Sequence, residues 1–600
     1  MQPMQDGDGA RKILGRSRIL FGMLMLVMGI FLVRLFYLQV VRADYYHKVA
    51  LSDQLTQYQI PANRGLIEAH QGGTIVPIVL NQQLYTVYAD PSMIKGKDVD
   101  KVAGTLATVL GGNPASFAAQ LRTPNSRYVV LGRKVSEANK TALLAPKYAG
   151  LGVQAQDYRT YPDGSLASQL LGFVNNNGKG VYGVEQDLNG TLSGTPGQLK
   201  AVTDIHGVPL AADTGNILTP PKDGSSIVLT IDTGIQEQAE QILAAGVQNV
   251  KAASGSAVIM DANSGAIKAM ANFPTYDPTN YGSVSDPSLF QNDAVAKPIE
   301  VGSIMKTLTV SAGLDQGVIQ PDTSYYDPAN WTVDGYKITN IEEDGGPGKQ
   351  NLDTILNLSL NTGATWILMQ MGGSASQNKI DVKGRDAWYN YMTNHFRLGQ
   401  KTGIEQGYEA SGLIPKPANN GAGIDLTYAN TSFGQAMTAT PLQMAAAVAS
   451  VLNGGTYYQP YLVDQTIAPD GKVTTQAPKV AERNVVAPKV GQTLSSIMEY
   501  VVQQHARNAS SLNFSSDYMV GGKTGTAQIA QPGGGYSKTT YNGTYVGFVG
   551  GDKVQYVIVV FIMEPSKMNG PYAGTAAAQP VFAGLAHMLI NGGYASPKSK

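Results

Sequence analysis

Six hundred residues, 43% hydrophobic and 15% charged, make a globular chain of about two to four domains. Lys plus Arg and Asp plus Glu number 44 each, which leaves no electrostatic footprint for nucleic acid. The chain has no cysteine and six scattered histidines, which excludes disulfides, thiol catalysis and Cys-ligated zinc, and argues against a metal site or a Ser-His-Asp enzyme.

Residues 1–18 are polar and carry Arg11, Lys12, Arg16 and Arg18. Ile19 to Val33 has no charge, and after Arg34 the apolar pattern resumes to Val41. As one helix, 19–41 measures about 35 Å, enough to cross a bilayer. The basic flank precedes it, so the N-terminus is expected in the cytoplasm and the rest of the chain outside the membrane. The competing reading is a cleaved signal peptide, because Val41-Arg42-Ala43 loosely resembles a cleavage site. The apolar stretch is long for that.

Residues 42–222 form a first extracytoplasmic region. It holds β-like runs such as Leu84 to Tyr88 and a helical pattern over Val99 to Leu110. It has no nucleophile–base pair, and its Arg64, Arg159 and Glu185 read as internal ion pairs. Asp204 to Gly224 is rich in Gly, Pro and Asp and reads as a linker. A second unit, 223–592, starts with the strand Ser226 to Ile231 and a helix over Gln236 to Val247. A hairpin follows, Ser256 to Met260 and Ala266 to Ala271, around the turn 261–265. Residues 593–600 are a tail. Sixty-eight glycines fit a turn-rich, sheet-containing α+β architecture.

Ser303 and Lys306 are three residues apart, so on a helix they share a face. A serine needs a base within hydrogen-bond reach to become a nucleophile. A glycine before it and an apolar run after it suit a helix start, where amides help stabilise an oxyanion. Lys306 must be neutral part of the time, which burial and a nearby positive charge favour. The bland alternative for Ser303 is a helix N-cap. A second Ser-x-x-Lys, Ser376 to Lys379, lies among Gly, Ser, Gln and Asn and reads as loop.

A helical pattern over Leu352 to Met371 is interrupted at Ser359 to Gly363, which predicts two short helices and a turn presenting Ser359 and Asn361. The Ser-Leu-Asn at Ser511 to Asn513 sits in a Ser/Asn-rich loop and is discounted. Of the two Lys-Thr-Gly triplets, Lys401-Thr402-Gly403 leads into a loop. Lys523-Thr524-Gly525 opens a strand running through Thr526, followed after a Gly-rich loop by strands at Thr544 to Val549 and Gln555 to Met563. The loop between Gln528 and Asn542 is expected to cover the site. Pro580 to Ile590 reads as a helix packed on that sheet.

Ser-x-x-Lys, Ser-x-Asn and Lys-Thr-Gly, in this order and widely spaced, resemble the active-site set of penicillin-binding proteins and serine β-lactamases. The resemblance to class B penicillin-binding proteins covers about residues 19–590. It includes Arg34 to Val40, Arg64-Gly65, Tyr161-Pro162, Gly183-Val184-Glu185, Leu229 to Asp232, Gly434-Gln435 and Thr440 to Met444. Two departures stand out: Val301 in place of the usual Pro before Gly-Ser, and Glu68-Ala69-His70 in place of an Asp-Arg pair. The resemblance implies an α+β chain with one transmembrane helix. An elongated β-rich pedestal domain and a β-lactamase-like transpeptidase domain, an antiparallel sheet flanked by helices, would follow it. The family has a division-specific, FtsI-type branch and an elongation-specific branch, and the Gly180 to Glu185 and Leu229 to Gln236 stretches favour division.

By the same resemblance the substrate is a peptidoglycan stem peptide ending in D-Ala-D-Ala. Ser303 attacks the penultimate carbonyl and Lys306 takes its proton. The amides of Ser303 and Thr526 form the oxyanion hole. Ser359 relays a proton to the leaving nitrogen, and Asn361 holds the acyl-side amide. Lys523 attracts the terminal carboxylate, with Thr524, Gly525 and Thr526 completing that subsite. A neighbouring stem peptide's amine then releases the acyl-enzyme. β-Lactams acylate the same serine, and no metal or organic cofactor is implied. Expected partners are the membrane, an FtsW-like membrane-embedded glycan polymerase and other divisome proteins. The rival readings are a D,D-carboxypeptidase or β-lactamase, and a non-catalytic scaffold or β-lactam sensor.

Overall fold

The computed structural model describes residues 8–46, 55–202, 217–340, 347–373, 378–417, 423–531, 535–568 and 572–599. They fall into two units, one of 1–63 with 194–223 and one of 64–193 with 224–600. In the first unit, helix α1 (Asp8–Phe36) continues as a π turn to Val41. The stretch Arg18–Val41 is long and apolar enough to cross a membrane. This unit also holds a three-stranded antiparallel sheet of β1 (Leu55–Ile60), β6 (Gly197–Val202) and β7 (Ile217–Thr219). The expected linker 204–224 is therefore partly strand. Its residues 204–216 lie outside the described residues.

The second unit contains two large sheets. The first is seven-stranded. Its pedestal strands are β2 (Ile67–Gln71), β3 (Thr74–Ala89), β4 (Val129–Val135) and β5 (Leu151–Thr160). They are joined by β8 (Ser226–Asp232) and two later strands, β11 (Val463–Ile467) and β12 (Val473–Thr475). Strand β8 pairs in parallel with β2 and antiparallel with β11. The strand that reads in sequence as the start of a new unit thus completes the pedestal's sheet. Its consecutive buried residues Ile227, Val228 and Leu229 do not decide such a choice, because a strand apolar on both faces can sit centrally in either sheet. The helix over Val99–Leu110 has the predicted bounds and buries Val99, Val102, Ala103 and Leu106, one face at helical spacing.

The second sheet is the five-stranded antiparallel core. Its order is β10 (Ile267–Phe273), β9 (Ser254–Asp261), β15 (Val554–Met563), β14 (Tyr536–Gly550) and β13 (Met519–Ala530). Along β15, Val557, Val559 and Phe561 face one core, and Ile558, Val560 and Ile562 face another. Both faces are covered, so the strand is apolar throughout. Helices Thr233–Asn249 and Gln579–Asn591 cover one side. Helices Pro441–Leu452 and Pro488–Ala506 cover the other, and helices Lys306–Asp315 and Asn361–Met371 join the same core. Strand β13 is an edge, and Lys523 lies inside it rather than opening it, because pairing with β14 already begins at Met519↔Gly550.

Glu185 is the centre of a buried charge cluster in the pedestal. It is fully buried and bridges Arg64 and Arg159. Arg159 also donates to the Gly65 carbonyl at 2.7 Å and to Asn81 Oδ1 at 2.8 Å. Arg64 donates to Asn189 Oδ1 at 3.0 Å. The three charges read in sequence as internal ion pairs are one network joining the segment before β2, strand β5 and the short helix Gly183–Asp187. Removing the shared anion strands two buried guanidinium groups. Glu185→Ala should cost about 3–5 kcal/mol, read as a lower denaturant midpoint, while the exposed pair Arg122–Asp100 should tolerate Asp100→Ala with less than about 1 kcal/mol.

Candidate active site

Ser303 lies in a 3-10 turn, Gly302–Met305, one turn ahead of the helix that Lys306 begins. The turn depends on glycine. Gly302 has φ of 62°, and its N–H donates to the Gly434 carbonyl at 3.0 Å. A Cβ at 302 would stand 2.8 Å from the Thr526 carbonyl oxygen, and one at Gly434 would stand 2.0 Å from the Gly302 oxygen. Gly525 closes the third side, where a Cβ would meet Thr544 Oγ1 at 2.3 Å and the Val301 oxygen at 3.0 Å. Backbone from two distant stretches, at Gly434 and at Gly525–Thr526, therefore packs against the turn of Ser303 at a separation only glycine permits. Val301, which replaces the family's Pro, is fully buried.

Lys306 Nζ donates to Ser303 Oγ at 2.9 Å, to Asn361 Oδ1 at 2.8 Å, and to Ser359 through its hydroxyl at 3.2 Å and its carbonyl. Ser359 sits between helices Leu352–Asn357 and Asn361–Met371 with φ of 59°. That left-handed conformation turns its hydroxyl and carbonyl toward one amine. Buried Leu360 anchors the turn, and Asn361 Nδ2 donates to the Thr339 carbonyl at 3.0 Å. The break is shorter than predicted, since Gly363 lies inside the second helix. A Cβ there would meet Ile355 Cγ1 at 2.5 Å.

Lys523 Nζ donates to Ser359 Oγ at 2.9 Å and to the Thr524 carbonyl at 2.9 Å. Lys306 and Lys523 are both 0% exposed, and their amines meet at one hydroxyl oxygen. Two amines this close repel if both carry a proton. The Thr526 hydroxyl accepts the Gly574 N–H at 3.1 Å. Ser303, Ser359, Asn361, Thr524 and Thr526 line a cleft of 600 Å³. Gly525 instead meets the segment that bears Ser303.

The duplicate motifs lie elsewhere. Thr402 and Gly403 wrap the Glu409 carboxylate through their backbone N–H groups at 2.6 and 2.9 Å. Ser511 is in a short 3-10 turn whose Leu512 is buried. Ser376 lies outside the described residues, as do 532–534 of the loop expected to cover the site. Residues outside the three active-site motifs also line the cleft: Asn357, Phe433, Gln435, His505, Gln528, Tyr541 and Tyr572. Burial and the positive charge of Lys523 hold His505 below the usual imidazole range. Only Gly434-Gln435 among these stretches carried a family signal, and His505 had none, being the last turn of an amphipathic helix.

Residues 255–587 match the family model of the penicillin binding protein transpeptidase domain, and residues 59–229 that of the penicillin-binding protein dimerisation domain. The chain belongs to the class B penicillin-binding proteins. This penicillin-binding protein is 31% identical over 513 residues to penicillin-binding protein PbpB of Mycobacterium tuberculosis, covering 84% of this chain and 71% of that one. It is 26% identical over 588 residues to peptidoglycan D,D-transpeptidase FtsI of Escherichia coli, covering 97% and 93%. Its fold matches the structure of Penicillin Binding Protein 2X from Streptococcus thermophilus with a TM-score of 0.69 and 23% identity, over 90% of this chain and 80% of that one. It is a peptidoglycan transpeptidase of the serine acyl-enzyme type.

Gly434→Ala tests the packing of the turn. The new Cβ has no room beside the Gly302 oxygen, and Ser303 must shift. A time course of penicillin acylation should slow about a hundredfold.

Proposed function

We propose that Ser303 is the acylated residue and that the Lys306, Ser359 and Lys523 cluster carries protons in both half-reactions. The observation that carries this reading is the Ser359 hydroxyl held between two buried amines, one of which also bonds Ser303 Oγ. Ser303 Oγ attacks the penultimate D-Ala carbonyl, and its proton passes to Lys306. Negative charge develops on the carbonyl oxygen, and the Ser303 and Thr526 amides supply the donors such a charge requires. The tetrahedral adduct collapses as a proton reaches the leaving D-Ala nitrogen from Lys306 through Ser359. Asn361 orients the donor amide. Lys523, Thr524 and Thr526 receive the terminal carboxylate, with Gly525 holding their strand against the nucleophile's turn. The acceptor amine then retraces the path and forms the cross-link. A β-lactam follows the first half only.

The same reading extends to the cell. Residues 19–41 anchor the chain in the cytoplasmic membrane with the basic 1–18 segment inside. Residues 42–222 serve as a pedestal that docks on an FtsW-like glycan polymerase and other division proteins, and 223–592 cross-link the septal wall. The basic flank of α1 supports the orientation. Similarity to a relative named peptidoglycan D,D-transpeptidase FtsI and the Gly180 to Glu185 stretch support the septal role.

Labelling with a fluorescent penicillin tests the site. Ser303→Ala should abolish the label, and Ser376→Ala should leave it unchanged. Label that survives Ser303→Ala would overturn the assignment. A fluorescent fusion should gather at division septa, and an even side-wall distribution would move the protein to the elongation branch. If removing 42–222 left polymerase binding intact, the docking role would be wrong.

A further inference from the structure

The hairpin of β13 and β14 supplies one wall of the cleft through Gln528 and Tyr541, which are register partners. Two side-chain pins tie that hairpin to the segment bearing Ser303. The first is the Thr544 hydroxyl, which donates to the Val301 carbonyl at 2.7 Å. The second is the Tyr536 hydroxyl, which donates to Glu300 Oε1 at 2.9 Å. Along β14, Tyr541 lies between the two pins. The same Glu300 oxygen accepts the Ala436 N–H at 2.9 Å. Ala436 has φ of 55° and follows Gln435, another lining residue.

Glu300 is itself fixed from both sides in sequence. Ile299 exchanges hydrogen bonds with Ala439 at 3.1 and 3.0 Å, and the Gly302 N–H bonds the Gly434 carbonyl. The carboxylate therefore has little freedom, and what it holds takes its position from the nucleophile's backbone. Burial raises the Glu300 carboxyl, and the two donors oppose that shift. Both donors to Glu300 Oε1, the Ala436 N–H and the Tyr536 hydroxyl, come from the wall side of the cleft, and the wall is the route by which Glu300 acts on the reaction.

We propose that Glu300 is a positioning residue for this site: through Tyr536 and the Ala436 amide it sets where the Gln528–Tyr541 wall and Gln435 stand relative to Ser303. The inference rests on the acyl-transfer reading above, since the wall matters to whatever donor acylates Ser303. Its effect belongs to recognition of the donor rather than to proton transfer.

The test uses the full chain as unmodified protein and as Tyr536→Phe, Glu300→Gln and Glu300→Ala. Penicillin acylation is followed so that the dissociation constant of the first complex is separated from the acylation rate constant. Hydrogen exchange is read over 536–541 and over 554–563. Tyr536→Phe and Glu300→Ala should raise the dissociation constant about tenfold and leave the rate constant within about twofold. Exchange should quicken over 536–541 and stay unchanged over 554–563. Glu300→Gln keeps an acceptor oxygen and should remain near the unmodified protein. Tyr536→Phe indistinguishable from the unmodified protein in both readouts would overturn the proposal, and so would exchange that quickens equally over the whole sheet. A chain that takes no label would remove the acyl-transfer reading, and the exchange comparison would still decide whether Glu300 and Tyr536 hold the hairpin.

Discussion

Two lysine amines without solvent exposure end on the hydroxyl of Ser359, and much of the transpeptidase domain exists to make that arrangement tolerable. A buried amine is costly unless its donors are satisfied. Lys306 has Ser303, Asn361 and both oxygens of Ser359. Lys523 has Ser359 and Thr524. The acceptors come from three stretches of chain, at Ser303, Ser359–Asn361 and Thr524, so the amines can be buried only when those stretches are in place together. The left-handed backbone at Ser359 is part of the same requirement, because it brings hydroxyl and carbonyl to one side.

The glycines answer a second demand. Ser303, placed beside an edge strand, needs its backbone close to that strand, and a Cβ at 302, 434 or 525 would occupy the gap. The five-stranded sheet provides the rigid reference. Its central strand is apolar on both faces and sandwiched between two cores, which makes it a poor place for motion and a good one for mounting a site. The pedestal is built on a different principle. Its buried Glu185 joins strands through two arginines, an arrangement that secures one geometry more than it adds stability.

How much of this could be read from the residues varies by element. Helix 99–110 and strands 555–563 and 226–231 followed from periodicity and run length, because one face or both had to be apolar. Which Lys-Thr-Gly lies at the cleft was also legible from local context. Lys523 precedes alternating β-type residues, while Lys401 precedes a loop, and that loop wraps Glu409. The sheet to which 226–232 belongs was not legible, since its parallel pairing with Ile67–Gln71 joins segments about 160 residues apart and leaves no local trace. Glu300 and His505 were likewise missed. Each carries an ordinary residue type on an ordinary element, and each gains its place only from what packs against it.

The sequence alone determined the chemistry available: a serine with a lysine one helical turn away, a second serine and asparagine at a helix break, and a lysine in a strand near a glycine. These are local facts, set by spacing and by the conformations that each residue type allows. Only the tertiary structure decided that the two lysines share one hydroxyl, and that glycines 302, 434 and 525 bring three backbones together. It also decided that Tyr536 ties the cleft wall to the residue three positions before Ser303. Such contacts join positions from 53 to 236 residues apart. Their geometry comes from the packing of whole elements, which no stretch of sequence specifies by itself.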